Sequence, residues 1–233
     1  MTRPPFRSPS EASTQPLDLA KVRSRYLDCL LEPDTRGAWA VVAEALDQGA
    51  RPGRIYLDVL APAMVEIGTL WETARIGVAQ EHLATQITQT VLARLAPSLD
   101  EAEAAPAGGA PRLALVAGTP GELHAIGARM VADFLEASGW DVLLLGPDAP
   151  AAEIVAMTRE RRPDVVALST SLSFNLLAAG SVLAALRALP NPPLLVAGGR
   201  AYEGRPDRAL LAGADVFADD PEALVRELAP ALQ

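Results

Sequence analysis

The sequence predicts an α-helical bundle followed by a doubly wound parallel α/β domain of the Rossmann-like, flavodoxin-like type. Two observations support this: residues 18–97 carry apolar side chains at helical spacing, and residues 112–233 alternate short apolar runs with amphipathic stretches. Between them lies a segment, 98–111, rich in alanine, proline, glycine and acid, which indicates an interdomain linker. Residues 1–17 have the composition of a disordered leader.

Four amphipathic helices are predicted in the first part. The first begins near Leu19, and the second covers 35–46 with Gly49 as its C-terminal stop. The third follows 55–71 and tolerates Pro62 as a kink, and the fourth covers 78–95. Four such helices with short connections are typical of a small helical bundle.

The second part is predicted to contain a parallel sheet. Its apolar runs cover 113–118, 142–146, 165–169, 194–199 and 215–218, and helical stretches lie between them. Near-continuous apolar strands are typical of a parallel sheet that is covered by helices on both faces. Ligands bind such sheets at the carboxyl ends of the strands.

Composition excludes several classes of function. The formal net charge is −9, so the chain lacks the basic surface that unaided nucleic-acid binding requires. The one cysteine, Cys29, excludes an intrachain disulfide and a cysteine-based zinc site, and its place on an apolar helix face predicts a buried residue. No run of 18 apolar residues is present, and the N-terminus lacks a secretory signal, so we expect a cytoplasmic protein without a membrane span.

Three loops at the predicted carboxyl edge of the sheet carry the residues of chemical interest. One holds a metal-capable imidazole with a nearby carboxylate, one a hydroxyl cluster, and one a pair of residues without side chains. In order they are Glu122, His124 and Gly127; Ser169, Ser171 and Ser173; and Gly198 and Gly199. Taken singly, each has an ordinary interpretation as a helix cap, a packing residue or a tight turn. A nucleotide site is the rival interpretation, but neither GxGxxG nor GxxxxGK[ST] occurs.

Together the motifs resemble the cobalamin-binding domain of methionine synthase and its relatives. The pattern ExHxxG, a serine-rich loop and GG here stands where that family has DxHxxG, SxL and GG. The resemblance implies that His124 is the lower axial cobalt ligand of a cobalamin bound base-off and His-on, and that Glu122 orients its imidazole. It also implies that Gly127 makes room for the displaced nucleotide tail.

The remaining sheet-domain motifs follow the same resemblance. Ser169 matches the first serine of the second motif, and Ser171 replaces its usual leucine. Gly198 and Gly199 match the third motif, where the tail lies over the glycines.

The helical part adds a second resemblance. Trp71 is followed ten positions later by Glu81 and His82, a spacing similar to that of the CarH-type light-sensing cobalamin proteins. There the tryptophan packs over the upper adenosyl group and the other two lie beside it. Alone, Trp71 has the ordinary interpretation of a core aromatic and the other two that of an exposed helical pair. Glu72 departs from the pattern, because those repressors have a histidine there that ligates cobalt after illumination.

The resemblance implies a stand-alone cobalamin photoreceptor, with adenosylcobalamin as its cofactor. We expect no DNA-binding helix-turn-helix before the bundle, and hence signalling through a protein partner such as a transcriptional regulator, as in AerR-type antirepressors. The alternatives are a corrinoid protein that carries methyl groups for a methyltransferase and a cobalamin carrier without a light response. We expect no enzymatic activity from the chain alone. The sequence leaves open whether the protein forms a homo-oligomer.

Overall fold

The computed structural model describes residues 17–103, 112–202 and 205–231, and within them it shows the predicted helical part and α/β part. The helices of the first part are α1 (Leu19–Leu31), α2 (Thr35–Asp47), α3 (Pro52–Ile55), α4 (Ala61–Glu72) and α5 (Val78–Glu103). A π-helical turn, Tyr56–Leu60, joins α3 to α4 without a break, so these residues form four helical rods, as predicted. The expected leader lies outside the described residues except for Leu17.

Side-chain caps define where the first two helices begin. Asp18 precedes α1 and accepts from the backbone N–H groups of Ala20 and Lys21, and Asp34 precedes α2 and accepts from that of Gly37. These N–H groups have no hydrogen-bond partner within the helix, and the carboxylates supply one. The negative charge of each carboxylate also interacts favourably with the positive end of the helix dipole. The caps fix the bundle's first two rods.

The π-turn accommodates Pro62 within the helix. A proline lacks an N–H donor, and its ring crowds the carbonyl four residues earlier. Here the backbone N–H of Ala61 bonds to the carbonyl of Tyr56, which widens the helix just before Pro62. The predicted kink is therefore a π-turn that keeps the rod continuous.

Helix α5 runs further than the sequence predicted. It continues through Pro97 to Glu103, so the linker expected from residue 98 was wrong for its first six residues. A proline inside a helix costs about 3 kcal/mol. Leu95 and Leu99 on either side of it are fully buried in the bundle core, and burying two leucines contributes about as much or more.

Five parallel strands form the sheet: β1 (Leu113–Gly118), β2 (Asp141–Gly146), β3 (Val165–Ser169), β4 (Leu194–Gly198) and β5 (Val216–Ala218). Their order is β2-β1-β3-β4-β5, which is the flavodoxin-like arrangement. The chain leaves β1 toward one side of the sheet and β3 toward the other. The switch point therefore falls between β1 and β3, whose following loops carry His124 and the serines.

Five helices cover the sheet: α6 (Ile126–Ala137), α7 (Ala151–Arg161), α8 (Leu176–Arg187), α9 (Pro206–Leu211) and α10 (Pro221–Ala231). Strand β1 shows the two faces clearly. Ala114 and Val116 pack with α6 and α10, whereas Leu115 and Ala117 pack with α7, α8 and α9. Burial on both sides explains why the strands read as unbroken apolar runs.

Helix α6 joins the two parts of the molecule. Its outer face contributes Met130, Phe134 and Ala137 to the core of the bundle. The rings of Phe134 and Tyr56 meet edge to face, with their centroids 5.5 Å apart. The two parts thus share one apolar interface across α6.

A buried carboxylate lies in this interface. Asp133 is 1% exposed, and its Oδ2 accepts from the Tyr56 hydroxyl at 2.9 Å. Its Oδ1 accepts from Arg129 Nε at 2.6 Å. A buried charge needs such partners because desolvation is unfavourable. Tyr56 and Asp133 therefore link the π-turn of the bundle to the sheet domain.

Cys29 is partly rather than fully buried, because it lies at the border of the bundle core beside α2. Among the described residues, no helix combines the length and apolar character needed to cross a membrane.

Replacing Tyr56 by phenylalanine tests the link between the two parts. The variant keeps the ring but removes a donor from a buried carboxyl group that is also paired with Arg129, so we expect the free energy of unfolding to fall by about 1.5–3 kcal/mol. Tyr26→Phe is the matched control, because the Tyr26 hydroxyl donates to the neutral hydroxyl of Thr88 at 3.0 Å. Its expected loss is about 1 kcal/mol. Urea unfolding measures both, and equal losses would contradict the assigned role of Asp133.

Candidate functional site

The loops that follow the strands are tied to one another at the carboxyl edge of the sheet. The backbone N–H of Thr119 bonds to the carbonyl of Ser169 at 3.1 Å, and that of Thr170 bonds to the carbonyl of Gly198 at 2.9 Å. The hydroxyls of Thr119 and Thr170 meet at 2.7 Å in a buried contact across the switch point. These bonds extend the sheet by one residue and bring the three predicted loops together.

The loop after β1 is held from a second side by the loop after β2. The carboxylate of Asp148 accepts from the backbone N–H of Gly121 at 2.8 Å. In return, the backbone N–H of Asp148 donates to the carbonyl of Glu122 at 2.7 Å. This reciprocal pair fixes the backbone on which Glu122 and His124 stand.

Glu122 is fully buried at the centre of the site. Its Oε2 accepts from the backbone N–H groups of Ser171 at 2.7 Å and Leu172 at 3.1 Å, and from the Asn175 amide at 3.4 Å. Its Oε1 accepts from the backbone N–H of His124 at 3.1 Å and from His124 Nδ1. One carboxylate thus fastens the loop after β1 to the loop after β3.

These contacts decide the charge of Glu122. Burial by itself raises its pKa, but the bonds from the His124 side chain and from three backbone N–H groups outweigh burial and lower the pKa to about 2. The group is therefore an ionised carboxylate at neutral pH. An ionised carboxylate only accepts hydrogen bonds, so Nδ1 of His124 carries the proton between them.

The imidazole of His124 is consequently oriented for metal binding. With the proton on Nδ1, the Nε2 lone pair of the neutral ring is free, and the side chain is about half exposed. The bond to Glu122 raises the pKa of His124, while partial burial lowers it. A carboxylate behind an imidazole is the arrangement that orients histidine metal ligands and increases their basicity.

The serine loop acts through its backbone more than through its hydroxyls. Ser171 supplies an N–H group to Glu122, and Ser173 is exposed at the start of a short 3₁₀ turn. Ser169 is buried at the end of β3, and its Oγ lies 3.3 Å from where a side chain on Gly127 would begin. Gly127 therefore allows the start of α6 to approach the end of β3.

The paired glycines are required by the backbone itself. Gly199 has φ +108°, and a Cβ there would lie 2.4 Å from the carbonyl oxygen of Thr170. A Cβ on Gly198 would lie 3.1 Å from the carbonyl of Ala218. Glycine is therefore required at 199 and favoured at 198, and neither position carries a side chain that would cover this part of the sheet edge.

The predicted residues of the helical part lie in α4 and α5 and differ in exposure. Trp71 lies in the last turn of α4 and is 46% exposed. Glu81 is largely covered and accepts from the Thr85 hydroxyl at 3.0 Å, and its charge is one of the contributions that raise the pKa of His124. His82 is mostly exposed, and its Nε2 lies 3.7 Å from Glu81 Oε2. The structure thus brings Glu81 toward His124, whereas His82 contacts Glu81.

Arg200 was missed by the sequence analysis. It follows the paired glycines, and its guanidinium lies 3.8 Å from where a Cβ on Gly68 of α4 would stand. Its charge lowers the pKa of His124. The side chain therefore extends from the sheet edge to the bundle along the side of the site. An arginine directly after GG was the available signal.

The other missed residues are Thr119, Asp148, Thr170 and Asn175, which all hold the loops rather than face a ligand. Each follows the end of a strand, so the rule that polar residues gather there could have found them. Their pairing depends on which strands are neighbours, which the sequence does not specify.

Comparisons with known proteins agree with this geometry. One model of a B12 binding domain matches residues 22–96, and a second model of a B12 binding domain matches residues 112–229, half of the chain. The chain belongs to the cobalamin (B12)-binding domain family.

Relatives of this cobalamin-binding protein fall into two groups. The HTH-type transcriptional repressor CarH of Myxococcus xanthus is 37% identical over 57% of this chain and 43% of its own length. The repressor CarA of the same organism is 36% identical over 71% of this chain and 54% of its own. This chain thus spans about half the length of these repressors. Monomethylamine corrinoid protein 2 of Methanosarcina mazei is 27% identical over 64% of this chain and 67% of its own.

A solved structure confirms the fold. The monomethylamine corrinoid protein of Methanosarcina barkeri superposes with a TM-score of 0.77 and 19% identity, covering 92% of this chain and all of that one. The bundle followed by a five-stranded parallel sheet is therefore an arrangement shared with a corrinoid protein.

The residues at the site fit a cobalamin. Among the described residues, no three side chains of His, Cys, Asp or Glu converge as a metal site, so the donor set is one imidazole. One protein ligand suits a cobalt ion whose four equatorial positions are already filled by the corrin ring.

Replacing Gly199 by alanine tests whether the turn after β4 requires glycine. The substitution combines an unfavourable positive φ with a clash against the Thr170 backbone. Gly146→Ala is the matched control: its φ is +80°, and a Cβ there meets nothing within 4 Å. We expect Gly146→Ala to lower the free energy of unfolding by about 1–2 kcal/mol and Gly199→Ala by at least about twice as much. Urea unfolding of both variants measures the difference, and an equal loss would show that the turn adapts.

Proposed function

We propose that this cobalamin-binding protein is a light sensor that signals through a partner protein, with adenosylcobalamin as its cofactor. The observation that carries the proposal is that the bundle lies close to the loop that holds His124: the charge of Glu81 raises the pKa of His124, and Arg200 approaches Gly68, one turn before Trp71 on α4. The likeness to CarH and CarA supports a link to transcriptional regulation. When bound, adenosylcobalamin supplies a cobalt–carbon bond that visible light breaks.

The sheet domain has the lower-face role. His124 would hold the cobalt through Nε2, and Glu122 would keep the ring in the required tautomer and orientation. Gly127, Ser169, Gly198 and Gly199 would accommodate the nucleotide tail of a cofactor bound base-off. Because Glu122 also fastens the loop after β3, the ligand and the wall of the tail pocket are positioned by the same carboxylate.

The bundle has the upper-face role. Trp71 offers an exposed indole that would pack on an adenosyl group, with Glu81 and His82 beside it. Contacts of the indole that exist only with the adenosyl group present would favour one arrangement of bundle and sheet, and their loss would favour another. The residue after Trp71 is Glu72, which has no nitrogen ligand to offer. It would therefore not ligate cobalt on the upper face as a histidine could.

Signalling is proposed to reach a protein rather than nucleic acid. The formal charge of −9 disfavours contact with phosphates and suits a partner with a basic surface. The similarity to transcriptional repressors points to a regulator as that partner. We expect no enzymatic turnover by the chain alone, since its two histidines are both assigned to cofactor contacts.

The second candidate function is that of a corrinoid protein that carries methyl groups for a methyltransferase. It is supported by the likeness to monomethylamine corrinoid proteins in sequence and fold. It would use His124 in the same way but would bind methylcobalamin, and the bundle would have to open to a partner enzyme. The exposed indole of Trp71 favours the sensor, because a large indole over the cofactor would obstruct that approach.

An absorption spectrum separates these functions. The purified protein is mixed with adenosylcobalamin in the dark, freed of unbound cofactor, and measured before and after green light. A bound cofactor whose spectrum changes permanently on illumination, together with a changed elution volume in gel filtration, is expected for the sensor. A spectrum and an elution volume that stay constant would exclude it and favour the carrier.

The lower ligand is tested in the same experiment with His124→Ala. The variant lacks Nε2, so we expect weaker retention of cobalamin and a spectrum without the features of a nitrogen lower ligand. His82→Ala is the matched control, since it removes the other histidine and should leave the lower-face spectrum unchanged. Identical spectra for wild type and His124→Ala would remove His124 from the site.

Trp71→Ala is expected to reduce the preference for the adenosyl form. Loss of an indole contact of this size corresponds to about a tenfold weaker binding of adenosylcobalamin, with little effect on hydroxocobalamin. Trp71→Phe keeps part of the aromatic surface and should lie between. Calorimetric titration with both cobalamins gives the ratio of dissociation constants. An equal effect on both forms would show that Trp71 does not contact the upper group.

A further inference from the structure

A cavity of about 470 Å³ lies between the bundle and the sheet domain, on the edge opposite His124. Arg112 and Trp140 on its wall directly precede β1 and β2, so it opens at the amino ends of the strands. His124 and Gly199 follow the carboxyl ends of parallel strands about 20 Å long. The cavity is therefore separate from the candidate cofactor site. A ligand could bind in it whether or not the proposed function is correct.

Four guanidinium groups line this cavity. Arg51 and Arg54 come from the start of α3 in the bundle, Arg112 from the residue before β1, and Arg226 from α10. In a chain with a formal charge of −9, such a concentration of positive charge is not a consequence of composition.

Two of the four arginines meet carboxylates near the cavity. Arg54 lies 2.6 Å from Asp58, and Glu222 lies 3.6 Å from Arg226 and 4.0 Å from Arg54. These ion pairs are exposed to solvent, so each interaction is weak and the side chains can readily rearrange. The end of α6 adds about half a negative charge.

The cavity also has an aromatic wall. The guanidinium of Arg112 lies 6.0 Å from the centre of the Trp140 ring, and the edge of Phe134 lines the wall beside it. A volume of this size is within the range of small-molecule sites, which combine apolar walls with a few charged groups. Arginine clusters bind phosphate groups by paired hydrogen bonds, and aromatic rings stack on planar bases.

We propose that this cavity, which we term the arginine cavity, binds a small phosphorylated molecule with a planar aromatic group, of the nucleoside diphosphate class. Its phosphates contact Arg51, Arg54 and Arg226, and its ring packs against Trp140. Because Arg51 and Arg54 belong to the bundle and the others to the sheet domain, the ligand bridges both parts and stabilises their contact. Any change in the arrangement of the two parts is then linked to the occupancy of this cavity.

Calorimetric titration of the full chain without cofactor tests the proposal, with adenosine diphosphate, inorganic pyrophosphate and adenosine as probes. We expect adenosine diphosphate to bind most tightly, pyrophosphate more weakly and adenosine not at all. The affinity for adenosine diphosphate should fall as salt is raised, since exposed charges are screened within about 10 Å at 0.1 M ionic strength.

Two sets of variants assign the binding to this cavity. The double variant Arg51→Gln and Arg226→Gln should weaken adenosine diphosphate about tenfold or more. Arg159→Gln with Arg208→Gln is the matched control, because it removes the same charge from exposed positions on α7 and α9. Trp140→Phe should weaken adenosine diphosphate and leave pyrophosphate unchanged.

The results that overturn the proposal are equally specific. Failure of adenosine diphosphate to bind the wild type at low salt would refute it directly. Equal weakening in the double variant and in the matched control would show that only the general charge of the surface matters. Equal affinities for adenosine diphosphate and pyrophosphate would refute the aromatic part. Circular dichroism of each variant establishes that the fold is retained.

Discussion

The site depends on the buried carboxylate of Glu122. This one group accepts hydrogen bonds from the backbone and ring of His124 on one side and from two backbone N–H groups of the serine loop on the other. Since β1 and β3 lie at the switch point of the sheet, the carboxylate bridges the loops where the strand order reverses. Without it, five donors would lose this acceptor, namely the backbone N–H groups of His124, Ser171 and Leu172, the His124 ring and the Asn175 amide, and the imidazole would lose its orientation. Its low pKa results from the same contacts that assemble the site.

The two parts of the molecule meet across α6. Apolar residues on its outer face complete the core of the bundle, while its other face packs on the sheet. Among them the Asp133 carboxylate pairs with Arg129 of its own helix and with Tyr56 in the π-turn. A π-turn produced by Pro62 thus stands at the contact between the parts. The same continuous rod holds Tyr56 at this contact and Trp71 in its last turn.

The two candidate functions share a lower face and differ in the cap. Both a sensor and a methyl carrier need an imidazole whose second nitrogen is fixed, and Glu122 with His124 meets that need. A carrier requires access to the upper face, whereas a sensor requires contacts that depend on the upper group. Trp71 lies at the end of α4 and Glu81 near the start of α5, and Arg200 extends from the sheet edge to α4.

The sequence by itself determined the element types, and it predicted the carboxyl edge of the sheet as the binding edge, with His124, Glu122 and Gly199 on it. Apolar periodicity and residue types at strand ends are local properties, so they can be read along the chain. Only the tertiary structure decided the partners: that Ser171 acts through its N–H, that Asn175 and Arg200 belong to the site, and that α5 continues past Pro97. It also decided that Gly199 is required by the Thr170 backbone. Such contacts join residues distant in the chain, and they follow from strand order and packing, which local pattern does not encode.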